Sequence, residues 1–150
     1  MASPTHQPSD GSIPDRAARP LKLFFDGGCR PNPGKIEVAV VARGEIHLFD
    51  DLGCGTSSDG EWLALRLALT VAHRLQVPRF ELLGDSANVI AQVTGRACCR
   101  SEAAAAHLAE YLELARANAP DRIRWLPRNQ NLAGIALERR RRLGFAPRSR

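Results

Sequence analysis

The chain has 150 residues, 44% hydrophobic and 25% charged, with a formal net charge of +5 and a pI near 9.6. These are the proportions of one soluble domain with a real hydrophobic core, and no apolar run approaches the roughly 20 residues of a membrane-spanning helix. The basic balance favours an acidic partner, with nucleic acid well ahead of an anionic membrane surface, although much of the excess lies near the C-terminus.

Residues 1–20 carry Pro4, Pro8, Pro14 and Pro20 among small polar residues and read as a disordered leader with no secretory h-region. The folded domain is expected over 21–142, with a basic tail over 143–150. Cys29, Cys54, Cys98 and Cys99 show no CxxC or zinc-finger spacing. Free thiols in a reducing cytoplasm are the expectation.

Leu21, Leu23 and Phe25 alternate with Lys22 and Phe24, predicting a strand that delivers Asp26 at its carboxyl end, followed by turns at Gly27-Gly28 and Asn32-Pro33-Gly34. A carboxylate there is either a turn-former or a metal ligand. Residues 36–42 and 46–52 read as two further strands of an antiparallel meander. A loop of small residues over 53–58 leads to a helix capped by Ser58 or Asp59. That helix, over 61–75, carries Leu63, Leu67, Val71 and Leu75, with Ala64, Ala68 and Ala72 widening the stripe. Residues 80–84 form a fourth strand ending at Asp85-Ser86.

A short helix over 87–93 and a longer one over 102–118 follow, the latter with Leu108, Leu112 and Ala115 inward. Residues 123–126 give a fifth strand with Trp125 in the core. After a loop over 127–131, the last helix spans 132–142. The order βββαβααβα is an α/β sandwich whose last two strands need helical crossovers and so lie parallel to the first.

Asp26 and Asp85 end strands, and Glu61 opens a helix. If the first and fourth strands are neighbours, the two aspartates emerge at one sheet edge, where the helix's first turn can overhang them. Singly, each acid is as well explained by capping or by the helix dipole. Together they repel unless a cation neutralises them, and oxygen-only ligands select Mg²⁺ or Mn²⁺ over Zn²⁺. Hard cations beside a basic surface point to phosphodiester chemistry.

The segments F-F-D-G-G-C-R-P-N-P-G, T-S-S-D-G-E-W-L-A-L, G-D-S-A-N-V-I and W-L-P-R-N-Q-N-L-A-G, in this order, resemble the four signature segments of type 1 ribonuclease H. The resemblance implies a ribonuclease H-like five-stranded mixed sheet, three strands antiparallel and then two parallel, flanked by helices. It also implies cleavage of the RNA strand of an RNA–DNA hybrid with two Mg²⁺ ions, Mn²⁺ being an alternative. Carried over, Asp26, Glu61 and Asp85 would be the catalytic metal ligands, with Asp26 bridging both ions. The main chain around Gly28 and Cys29, with the Asn32 side chain, would face the minor groove and its 2′-hydroxyls. Ser57 and Ser58 stand where the family often has asparagines. Arg128 is a well-placed phosphate contact.

Those serines are one departure, and two others matter. Gly134 occupies the position of the family's fourth carboxylate, so the site is expected to be weakened. Glu138, one helical turn or about 5.4 Å further on, is a poor substitute, and Asn129, Gln130 and Asn131 are weaker ligands. The basic, tryptophan-containing protrusion of some members is reduced to Gly95-Arg96-Ala97-Cys98-Cys99-Arg100. The reading is therefore a monomeric, metal-dependent endonuclease; the alternative is a non-catalytic nucleic-acid-binding module on the same fold. A related 3′–5′ exonuclease is disfavoured by the N-P-G turn. Arg139–Arg142 serves either as a solvated helix end or as a phosphate-contacting tail, or as both.

Overall fold

The computed structural model describes residues 19–143, so the disordered-leader and basic-tail readings lie almost wholly outside the described residues. Alternating apolar positions produce β1 (Leu21–Cys29) and β2 (Gly34–Ala42), and a turn at Arg43-Gly44 returns the chain as β3 (Glu45–Phe49). A two-residue strand, β4 (Cys54–Gly55), precedes α1 (Ser57–Arg74). Then come β5 (Phe80–Gly84), α2 (Ala87–Val93), α3 (Glu102–Ala115), β6 (Arg122–Trp125) and α4 (Leu132–Arg142), the last entered through a 3-10 turn at Arg128–Gln130. The sheet order is β3-β2-β1-β5-β6, with β4 paired to β2. β2 runs antiparallel to both β1 and β3, while β5 runs parallel to both β1 and β6. This is the expected mixed sheet. No helix among the described residues is long and apolar enough to cross a membrane.

The main core lies between the sheet and α1, with α2 and α3 completing it: Leu23, Phe25, Val38 and Val40 meet Trp62, Leu65, Leu69 and Ala72. On the other face, α4 covers Ala39 and Val41 with Ala133 and Leu137. Trp62 is a core residue.

Five local expectations are corrected. The segment over 53–58 is not simply a loop: Cys54 and Gly55 pair with Lys35 and Gly34, a contact too short for any periodicity to announce. α1 starts earlier than Glu61 because Thr56, not Ser58 or Asp59, is its N-cap. The Thr56 hydroxyl accepts from the Asp59 N–H at 3.1 Å, and the Asp59 carboxylate accepts from the Thr56 N–H at 2.9 Å, a reciprocal capping box. The deepest stripe of α1 runs through Ala64, Leu65, Ala68, Leu69 and Ala72, because the helix is enclosed by the sheet on one side and α3 on another; Leu63, Leu67 and Leu75 are only partly buried. In α3 the inward stripe is Ala104, Leu108, Tyr111 and Ala115, and Leu112 falls off that face and is exposed. Trp125 is 52% exposed rather than core, because β6 is an edge strand.

Asp59 has a second partner. Its other carboxylate oxygen lies 2.9 Å from Nε2 of His107 on α3, and the His107 ring stacks parallel on Trp62 with centroids 6.0 Å apart. The start of α1 is thus tied to α3 as well as capped. The Thr56 N–H and the His107 contact hold the Asp59 carboxyl below the usual carboxylate range.

Candidate active site

The parallel pairing of β1 with β5 ends at Phe24 opposite Leu83. Asp26 therefore lies just beyond that pairing and Asp85 just beyond the end of β5. β1 itself does not stop at Asp26: it continues to Cys29, because the antiparallel ladder with β2 runs on to Ile36. Asp26 is consequently anchored on one side by Ala39 and open on the other.

Glu61 reaches the same place because two glycines let helix and strand backbones touch. A Cβ at Gly27 would overlap the Gly60 carbonyl oxygen, and one at Gly60 would come within 2.7 Å of the Gly28 nitrogen. Only glycines permit that approach, which sets the first turns of α1 over β1. Gly27→Ala is expected to cost about 1–3 kcal/mol by overpacking, read by urea unfolding, and to push Glu61 away from Asp26.

Asp26 and Glu61 line a common cavity of about 210 Å³ with Gly27, Gly28, Cys29, Arg30, Ser57, Arg128 and Arg141. Asp85 adjoins it: its carboxylate is 3.6 Å from the Arg128 guanidinium, and its neighbour Ser86 donates its hydroxyl to Glu61 at 2.8 Å. Burial, helped by the neighbouring Asp85 charge, pushes the Asp26 carboxyl up to about 7 against the opposing pull of Arg128, the Gly27 main chain and Arg141. Burial likewise raises Glu61, against the Ser86 hydrogen bond. Gly134, in the first turn of α4, faces Asp26: a Cβ there would sit 3.4 Å from Asp26 Oδ2.

The other expected positions divide. Cys29 is buried, with its Sγ near Asn32 Oδ1, the Gly55 carbonyl and Ser57 Oγ. The Asn32 oxygen accepts from the Ser57 N–H at 3.1 Å, so Asn32 has only its amide hydrogens to offer a ligand. Ser58 is exposed and does not line the cavity. Asn131 is spent: it is fully buried, donates to the Phe25 carbonyl at 3.0 Å and accepts from the Ala133 N–H at 3.2 Å. It braces α4 against β1 rather than standing in for a missing ligand. Asn131→Ala should cost about 2–3 kcal/mol in denaturant titrations, since a buried carbonyl and a helix N-terminus both lose their partner.

One residue is not distinguished by the sequence from the arginine run that contains it. Arg141 lies two turns beyond Gly134 on α4, an i to i+7 spacing that keeps it on the same face. Its Nε donates to Glu37 at 3.1 Å while the guanidinium overlooks Gly28. The signal was present in the helical period but masked by the neighbouring arginines. Arg140 instead pairs with Asp50 at 2.8 Å, so the arginine run in part straps α4 to the sheet.

Among the described residues, no three His, Cys, Asp or Glu side chains gather closely enough to cage a metal ion by themselves. The donor chemistry nevertheless fits a hard divalent cation. The carboxylates are desolvated, mutually repelling and purely oxygen donors. Mg²⁺ commonly takes only one or two protein carboxylates and completes its shell with waters and substrate phosphate.

A family model described as reverse transcriptase-like matches residues 24–139. The ribonuclease HI of Halobacterium salinarum is 37% identical over 87 residues, which is 55% of this chain and 43% of that protein; the match thus spans less than half of the curated relative. Among solved structures, RNase H1 from Halobacterium salinarum NRC-1 superposes with a TM-score of 0.69 at 30% identity, covering 81% of this chain and 99% of that one. The N-terminal RNase H domain of a Mycobacterium tuberculosis protein gives 0.68 at 23% identity, over 79% and 95% of the two chains. LC11-RNase H1, solved in complex with an RNA/DNA hybrid, gives 0.66 at 21% identity, over 75% and 88%. These last two speak for the fold alone.

Proposed function

Because the chain belongs to the reverse transcriptase-like, type 1 ribonuclease H family, we propose that it hydrolyses the RNA strand of RNA–DNA hybrids with a divalent cation, working as a monomer in the cytoplasm. The observation that carries this reading is the meeting of Asp26 and Glu61 in one cavity floored by glycine backbone, with Asp85 at its edge. Asp26, Glu61 and Asp85 are the residues that would hold Mg²⁺ or Mn²⁺. Bound there, such a cation would supply Lewis-acid polarisation of a phosphate oxygen and an acidified water.

The remaining work belongs to the chain's own groups. The Ser86 hydroxyl orients Glu61. Arg128, largely exposed at the cavity mouth, and Arg141, held by Glu37, present positive charge to the phosphate backbone. The main chain at Gly28 and Cys29, the Asn32 amide and the Ser57 hydroxyl are the groups that would meet ribose hydroxyls. With glycine at position 134, one side of Asp26 lacks a carboxylate neighbour, and the proposed activity is a weakened one.

That same glycine favours a second reading, a nucleic-acid-binding module without catalysis. One experiment separates the two: cleavage of a labelled RNA strand in a hybrid, with Mg²⁺ and then Mn²⁺, by the parent and by Asp26→Asn. Cleavage by the parent alone supports the enzyme. Binding of the hybrid with no cleavage in either metal establishes the module.

A further inference from the structure

β6 is the terminal strand of the sheet on one side, and an opening of about 480 Å³ lies along it, lined by Thr94, Arg96, Arg122, Ile123, Arg124 and Trp125. Exposed strand edges ordinarily carry charge, which discourages pairing with another chain, and Arg122 and Arg124 meet that need. Trp125 does the opposite: it sets a large apolar ring in water at an edge. The ring is also fixed. Its indole N–H donates to the main-chain carbonyl of Asp85 at 3.1 Å, which satisfies its polar group and holds it beside the third acid of the site.

Arg124 is balanced by Glu81, 3.5 Å away. Arg96, steadied by a bond from its Nε to the Thr94 hydroxyl at 3.2 Å, and Arg122 leave the surface positive. A held aromatic face between guanidinium groups suits a single strand, whose unpaired bases offer a free π-face that a duplex does not, and whose phosphates arginine neutralises.

We propose that this β6 edge binds a single-stranded extension of the substrate, with a base stacked on Trp125 and phosphates against Arg96 and Arg122. The preferred substrate is then a hybrid joined to a single strand rather than a blunt hybrid. The proposal deepens the hybrid-nuclease reading and rests on it.

The test measures affinity by fluorescence anisotropy, in chelator so that nothing is cut. The ligands are a blunt hybrid, the same hybrid with a short thymidine extension, and one whose extension lacks bases. The thymidine extension is expected to tighten binding roughly tenfold, and the base-free extension to recover little of that gain. Trp125→Leu should erase the gain and Trp125→Phe, which keeps a ring, should retain most of it. Arg96→Ser with Arg122→Ser should weaken binding and flatten its salt dependence. Because Trp62 is 1% exposed, quenching of tryptophan emission by the extension reports Trp125 directly.

Equal affinity for blunt and extended hybrids, or for base-free and intact extensions, overturns the proposal. So does displacement of the strand by polyglutamate as readily as by free thymidine oligomer, which would assign the surface to an acidic protein. Cleavage of the blunt hybrid, followed in parallel with Mg²⁺, judges the nuclease reading separately: it persists if only the β6 proposal fails.

Discussion

Asp26→Asn is expected to raise the stability of the metal-free protein by about 2–4 kcal/mol above neutral pH while abolishing hybrid cleavage. The Asp26 carboxyl is 8% exposed and burial lifts it from 3.8 to about 7. At about 1.36 kcal/mol per unit, the ceiling of the effect is about 4 kcal/mol, and local relaxation lowers it. The sign follows from which state holds the proton more tightly. The folded chain keeps the Asp26 proton to higher pH than the unfolded chain does. Stability from this group is therefore greatest below about pH 4, falls as pH rises between 3.8 and about 7, and is flat above that.

Asparagine keeps the shape without the charge, so it removes the decline. Urea unfolding in chelator at several pH values checks this: the parent should lose clearly more stability across that window than the variant, which keeps only the decline due to Glu61. Adding Mg²⁺ should restore stability to the parent alone, because a cation that binds the folded state stabilises it by mass action. Matching pH profiles in parent and variant would show that Asp26 is not the desolvated group.

The second large effect is expected at Gly134. Gly134→Asp should raise cleavage in Mg²⁺ by roughly two orders of magnitude, the scale of one well-placed electrostatic group. The space is suitable, since a Cβ there makes ordinary contact with Asp26 Oδ2 at 3.4 Å. The helix also favours it: position 134 is in the first turn of α4, which has no acidic residue of its own, and a carboxylate complements a helix N-terminus. The cost falls on the metal-free state, where a second carboxylate faces Asp26. Gly134→Asp should accordingly unfold more easily than the parent in chelator and gain more from Mg²⁺. No change in rate with either metal, in a background where Asp26→Asn is dead, would mean that the missing carboxylate is not what limits turnover.

Much of this was legible beforehand because it depends on local pattern. The alternation around Phe25 and the short patterns over 87–93 and 132–142 predicted their elements closely, and the alanine-leucine period announced α1, though neither its start nor its deepest stripe. The convergence of Asp26 with Asp85 followed from parallel pairing of the strands that carry them. What escaped depends on long-range contact. Cys54 and Gly55 become a strand only because Gly34 and Lys35 lie beside them. Trp125 is exposed because no described strand pairs beyond β6, which is a fact of strand order. Arg141 belongs with Gly134 only when a helix is wound and laid on the sheet. The close approach of Gly27 and Gly60 is likewise invisible in a chain where they stand 33 positions apart.

The Thr56–Asp59–His107 chain has a practical consequence for anyone altering this protein. Glu61 follows Asp59 by two residues on the same helical turn, so its placement inherits whatever holds that turn. A change at His107, on the outer helix and outside the cavity, is therefore expected to alter the aim of Glu61 in the proposed site. Random mutagenesis scored by activity should recover position 107, and a map drawn only from residues around the cavity would leave that result unexplained.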